Sequence, residues 1–184
     1  MNNIQTTGGV FTEEMRKIVY NNIIRVFTCN EDDIEDLIPV QAGMTNIVLS
    51  FKLKGGKYIY RHPGLGSDAL VERGRETIMQ KVVSDIGIDT TLVAMDVDEG
   101  WRIGRFVEHR DFDYHNLNDM VRAVMLFRRL HEAPCAVRWN FDVIKKAEGI
   151  KAQIDPDKYG HFEEFEAVRD RCYKLHELAK TDGI

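Results

Sequence analysis

The chain has 184 residues, 43% of them hydrophobic and 30% charged, which is enough to bury one substantial core and excludes a disordered or fibrous polymer. Its formal net charge of −5 lacks the basic excess with which nucleic-acid binders displace counterions, so no nucleic acid is expected as a partner. Cys29, Cys135 and Cys172 are too widely spaced for a disulfide framework or a zinc site, and no apolar run reaches bilayer length. The expectation is a cytoplasmic protein with reduced cysteines and no membrane partner.

Residues 1–10 read as a polar leader that frays. Thr12, Glu13 and Glu14 then open a helix, with a capping hydroxyl and two acids at the positive end of its dipole. Met15, Ile18, Val19, Ile23, Val26 and Phe27 mark its apolar face at helical spacing. The acidic run from Glu31 to Asp36 predicts a short helical turn facing water.

Residues 39–64, PVQAGMTNIVLSFKLKGGKYIYRHPG, carry the densest signals. A short apolar entry at 37–40 leads into a turn at Ala42–Asn46, where Gly43 permits the close backbone approach of a phosphate-covering loop and Thr45 and Asn46 add polar donors. A strand over 47–53 follows, Gly55 and Gly56 suit a tight hairpin, and residues 57–62 return antiparallel with Arg61 near the end.

Pro63, Gly64 and Gly66 break that strand, and Ser67 or Asp68 can cap a helix running to about Ile86, with Val71, Ile78, Met79, Val82, Val83 and Ile86 inward. Glu72 and Glu76 both lie at the edge of this face, so either could reach Arg61; periodicity does not choose. Strands over 92–95 and 101–107, around an Asp98–Gly100 turn, bring the sheet to about five strands crossed by one helix. Helices are predicted from Asn116 to before Pro134, over 141–154 and over 162–179. The resulting division is 1–36 for leader and helix, 37–110 for the mixed lobe and 111–184 for the helical portion.

The string AGMTNIVLSFKLKGGKYIYRHPGLGSDALVERGRE, with GWRIGRFVEHR and a helix ending in Leu130 and His131, resembles the nucleotide-binding portion of bacterial choline and ethanolamine kinases. These are relatives of the aminoglycoside phosphotransferases and, more distantly, of the protein kinases. The resemblance implies an α+β fold: a protein-kinase-like small lobe followed by the first helices of an incomplete helical lobe. It implies ATP as the nucleotide, with Gly43, Met44, Thr45 and Asn46 over its phosphates, Arg61 as the strand cation on them and Glu76 as the helix acid orienting Arg61. Phe106, Val107 and Glu108 would form the hinge against the adenine.

Phosphoryl transfer is mostly the positioning of charge, and an arginine fork meets phosphate oxygens bidentately. The wider superfamily uses lysine at this strand position, so Arg61 departs from it and matches the choline kinase branch. His109, Arg110, Asp111 and, after four intervening residues, Asn116 imitate a kinase catalytic loop, but they follow the fifth strand and precede the helices, the reverse of a kinase. They read as a polar connection, and no catalytic or metal-binding residue is assigned.

In the family the catalytic aspartate and the Mg²⁺ ligands come after the helices, beyond Ile184. The expectation is therefore the nucleotide-binding portion of a kinase for choline or ethanolamine, inactive alone. A non-catalytic nucleotide-binding or regulatory module of the same fold is the alternative. Self-association is expected if the apolar faces of the last helices are left uncovered.

Overall fold

Period-two alternation along the central strands gives the first unit two unlike sheet faces. A computed structural model describes residues 4–6, 9–40, 46–64, 71–134, 142–160 and 164–181. It divides into two compact units, Met1–Cys135 and Ala136–Ile184. The first unit contains β1 (Ile4–Thr6), β2 (Gly9–Phe11), α1 (Glu13–Phe27), a 3-10 turn (Glu31–Asp33), β3 (Ile34–Pro39), β4 (Asn46–Leu53), β5 (Gly56–Pro63), α2 (Arg73–Asp85), β6 (Leu92–Met95), β7 (Arg102–Arg105) and α3 (Leu117–Glu132). One antiparallel sheet has the order β3-β4-β5-β7-β6, and β1 pairs with β2 in a separate hairpin.

On one face of the sheet Ile47, Leu49, Phe51, Tyr60, Trp101 and Ile103 are buried. Helix α1 covers them with Val19 and Ile23, and Phe27 meets Phe51 and Tyr58 edge-on. Each fully buried large side chain stabilises this core by ~1.5–3 kcal/mol. Polar atoms within it are matched: Asn22 Nδ2 donates to the Tyr60 hydroxyl at 3.0 Å, and burial pushes the Tyr60 pKa upward. The opposite face carries Val48, Ile59, Arg61 and Arg102, and is the face on which a site is built.

Helix α1 begins where the sequence predicts, with Thr12 Oγ1 accepting from Met15 N at 3.2 Å. Ile18, placed on the apolar stripe, instead points outward at 38% exposure, because the buried face is narrow. The leader does not simply fray: residues 4–6 and 9–11 pair as strands. The acidic turn ends at Asp33, and the run continues as β3, where a bulge sets Asp36 at φ 52° and lets Lys52 reach it at 2.8 Å.

The β4–β5 turn consists of Lys54 and Gly55 rather than Gly55 and Gly56. Both have positive φ, 49° and 78°, as a two-residue primed hairpin requires, and Gly56 already pairs with Leu53. Gly100 closes the β6–β7 turn at φ 71°; an added Cβ there would come within 2.8 Å of the Arg73 side chain. The strand predicted over 101–107 is shorter, Arg102–Arg105. The α2 helix starts at Arg73, later than its predicted cap; Ser67 and Asp68 lie outside the described residues.

On α3 a stripe of apolar side chains is exposed: Leu117, Val124 and Phe127 are 76%, 61% and 63% exposed. In the second unit the helices predicted over 141–154 and 162–179 are found as α4 (Val143–Lys151) and α6 (Phe165–Thr181), with a short unpredicted α5 (Pro156–Tyr159) between them. Tyr173 on α6 donates to Glu148 on α4 at 2.6 Å, and Lys151 lies over the Phe165 ring at 4.9 Å.

Candidate functional site

Arg61 is carried on β5 with its side chain on the face opposite the core, because Tyr60 and His62 point the other way. Its Nη1 donates to Glu76 Oε1 at 3.0 Å, and the two side chains are 24% and 22% exposed. The second carboxylate oxygen of Glu76 accepts from Arg73 at 3.2 Å. The structure thereby chooses between the two glutamates: Glu72 stands at the N-cap of α2 and pairs with Arg75 at 2.7 Å. A helix that starts at Arg73 leaves Glu72 before its first turn and places Glu76 within it, toward the sheet.

Asn46 adjoins the pair from β4. In the amide orientation that satisfies both groups, its side-chain oxygen accepts from Arg61 Nε and Nη2, each at 3.3 Å. Gly43, Met44 and Thr45 lie outside the described residues.

Arg61 opens onto a cavity of about 630 Å³. Its walls are Val48 and Ile59 from the sheet, Arg61 and Arg102 as cations, Gln80 from α2, and Phe106 and Val107 where the chain leaves β7. Phe106 N donates to Lys57 O at 2.9 Å, so the strand pairing persists one residue beyond β7, and the Lys57 ammonium lies 3.6 Å from the Phe106 ring centre. Glu108 turns away from this cavity: its side chain is 88% exposed and reaches Lys57 at 3.9 Å. Arg61, Glu76, Asn46, Phe106 and Val107 are thus gathered around one side of the sheet, while the Glu108 side chain is not.

The kinase-like string after β7 has other partners. His109 Nδ1 and Val107 O are 2.8 Å apart, and Asn116 caps α3 by accepting from Asn118 N at 2.9 Å. Arg110 forks onto Asp119 at 2.6 and 2.7 Å. These bonds, with one from Asp113 N, hold the buried Asp119 carboxyl at about 2, well below the ordinary carboxylate range. Asp111 borders the cavity. Among the described residues no cluster of three or more His, Cys, Asp or Glu side chains is arranged to hold a metal ion.

Three polar residues of the site were not signalled by the sequence. Gln80 is buried in α2, Arg102 Nη1 donates to its oxygen at 2.9 Å, and Gln80 Nε2 donates to Asp89 at 2.7 Å. Burial works against the Asp89 charge, yet hydrogen bonds from Thr91 and Gln80 and the nearby Arg102 hold its carboxyl below its ordinary value. Arg102 is lowered by burial and by the Arg61 charge beside it. The β-strand alternation that places Ile103 in the core was the one available hint that Arg102 faces the cleft.

The arrangement can bind an anion against Arg61 and Arg102 and a flat apolar group beside Val48, Ile59 and Val107. No described helix is long and apolar enough to cross a membrane.

No protein-family model and no curated protein matches the chain. Solved structures do. Choline kinase LicA from Streptococcus pneumoniae superposes with a TM-score of 0.71 at 19% identity, covering 92% of this chain, and LicA in complex with AMP gives 0.72. An ethanolamine kinase from Plasmodium vivax gives 0.63 at 18% identity over 95% of this chain. This chain spans 58% of the length of LicA and 56% of the Plasmodium protein. With its five-stranded antiparallel sheet and crossing helix, the chain has a choline/ethanolamine kinase-like fold, of the α+β, protein-kinase-like small-lobe type, over a little more than half of those proteins' length.

Proposed function

We propose that this chain is the nucleotide-binding portion of a small-molecule kinase that transfers the ATP γ-phosphate to the hydroxyl of choline or ethanolamine. The observation that carries this reading is the Arg61–Glu76 pair, 3.0 Å apart, with Arg61 at the wall of a cavity of about 630 Å³. An arginine held from behind by a carboxylate presents its remaining N–H groups in a fixed direction, which suits phosphate oxygens. The AMP complex of the similarly folded LicA lends support to a nucleotide as the ligand.

In this reading Arg61 holds the phosphates, Glu76 orients Arg61, and Asn46 with Gly43, Met44 and Thr45 covers them. Phe106 and Val107 bound the adenine, and Glu108 contributes its backbone rather than its exposed side chain. Bound Mg²⁺ would neutralise phosphate charge, with ligands from residues other than those described. The aspartate base is likewise assigned elsewhere than Asp111. The uncovered stripe on α3 supports self-association of the isolated chain.

Calorimetric titration with Mg-ATP, and with adenosine as the phosphate-free control, tests this reading. Saturable Mg-ATP binding that weakens in Arg61→Ala is the expected result. Absence of Mg-ATP binding by the folded chain, or affinity indifferent to Arg61→Ala, would reject it.

A further inference from the structure

The proposed site depends on Glu76 being held against Arg61, yet α2 is poorly anchored by apolar packing. Its one buried residue is Gln80, and Ile78 is 48% exposed. Gln80 lies four residues after Glu76, one turn along and on the same face of the helix.

The Gln80 amide is engaged at both ends. Its nitrogen donates to Asp89 Oδ2 at 2.7 Å, and its oxygen accepts from Arg102 Nη1 at 2.9 Å. Asp89 is itself pinned by Thr91 N at 2.8 Å and Thr91 Oγ1 at 2.7 Å. A carboxamide can give a hydrogen bond to a carboxylate while taking one from a guanidinium; a glutamate has no donor for Asp89, and a lysine has no acceptor for Arg102.

Arg102 is directly opposite Arg61 in the β5–β7 register. Two helix residues roughly 6 Å apart along the axis therefore meet two arginines on strands roughly 4.8 Å apart. Glu76–Arg61 and Gln80–Arg102 are matching rungs between helix and sheet. The second rung is neutral on the helix side, so it positions α2 without cancelling the Arg102 charge.

We propose that Gln80, held between Asp89 and Arg102, is a positioning residue: it registers α2 on the sheet so that Glu76 meets Arg61 and turns that guanidinium toward the nucleotide phosphates. The last step rests on the nucleotide reading given above. Without the Gln80 rung, α2 loses its buried polar anchor, and the Arg102 guanidinium loses its acceptor beside Arg61.

The experiment combines arginine side-chain ¹⁵N NMR with calorimetry on the 184-residue chain and on Gln80→Leu, Arg102→Met, Arg61→Ala and the Arg61→Ala/Gln80→Leu double variant. In the parent, the Arg61 guanidinium gives rotationally restrained signals, identified by their loss in Arg61→Ala. Gln80→Leu and Arg102→Met each average those signals and weaken Mg-ATP about tenfold, while adenosine stays within about twofold. In the Arg61→Ala background, Gln80→Leu causes no further loss, because its effect passes through Arg61.

Restrained Arg61 signals surviving in both variants overturn the proposal, as does an equal loss of Mg-ATP and adenosine affinity. If the parent binds no Mg-ATP, the nucleotide reading fails, and the Arg61 signals still decide whether Gln80 positions the pair. If Gln80→Leu does not fold by circular dichroism, Arg102→Met decides alone.

Discussion

Arg61 on β5 faces Arg102 on β7 directly across the strand pair, two cations on one side of the sheet. Like charges in this position destabilise a sheet unless something intervenes. Here Glu76 accepts from the first and brings a negative charge between the two, while the neutral Gln80 accepts from the second and Asp89 lies close by. The pair also leaves a positive wall facing the cavity, which is the physical basis of the nucleotide reading.

Replacing Arg61 should be costly to phosphate recognition. Hydrogen bonds to charged groups contribute about 1.5–3 kcal/mol, so Arg61→Ala is expected to weaken Mg-ATP by about ten- to a hundredfold. Arg61→Lys retains the charge but not the fork and should fall between parent and alanine variant. Isothermal titration measures both, and a lysine variant weaker than the alanine one would contradict the role given to the charge.

The two glutamates should separate cleanly. Glu76→Gln disturbs a partly shielded carboxylate bound by two arginines and is expected to lower stability by about 1–2 kcal/mol, discounted for its partial exposure. Glu72→Gln removes an exposed pair with Arg75 and should change stability by under about 0.5 kcal/mol. Chemical denaturation of the two variants checks this; equal effects would remove the distinction drawn from α2's starting point.

Acid should expose the Arg110–Asp119 link. The Asp119 carboxyl titrates at about 2 in the folded chain, below the ordinary range, because Arg110 hydrogen-bonds its charged form. A depressed folded pKa means the contribution is present in full above the ordinary carboxylate pKa, near about 4. It is lost as pH falls toward 2. The difference in thermal midpoint between parent and Asp119→Asn should therefore be largest above pH 4 and close progressively below it. A difference that is constant down to pH 2 would count against the pairing.

The uncovered apolar stripe of α3 predicts concentration-dependent self-association. Sedimentation velocity over about 5–100 μM, a range suited to a modest interface, should reveal it. Phe127→Glu, which sets a charge at a position 63% exposed, should shift the distribution toward monomer with little effect on folding. A parent that is monomeric across the range would refute the expectation.

Much of the secondary structure was legible locally. Thr12 followed by two glutamates marks the start of α1, and the strand over 92–95 is found with its expected ends. Hairpin chemistry pointed to the right turn but shifted by one residue, because Lys54 adopts the positive φ that composition would assign to a glycine. The start of α2 was misread, since Ser67 and Asp68 are good caps in isolation while the helix begins at Arg73.

By itself the sequence determined a strand-rich lobe with Arg61 on its second hairpin strand and two acids able to reach it. Only the tertiary structure decided that Glu76 is the partner and that Gln80 and Arg102 stand behind it. The reason is physical: hydrophobic periodicity reports which positions favour burial, and a glutamine that is buried by hydrogen bonding to residues nine and twenty-two positions away gives no periodic signal. Registry between β5 and β7, which sets Arg102 opposite Arg61, joins residues forty-one positions apart and exists only once the sheet has formed.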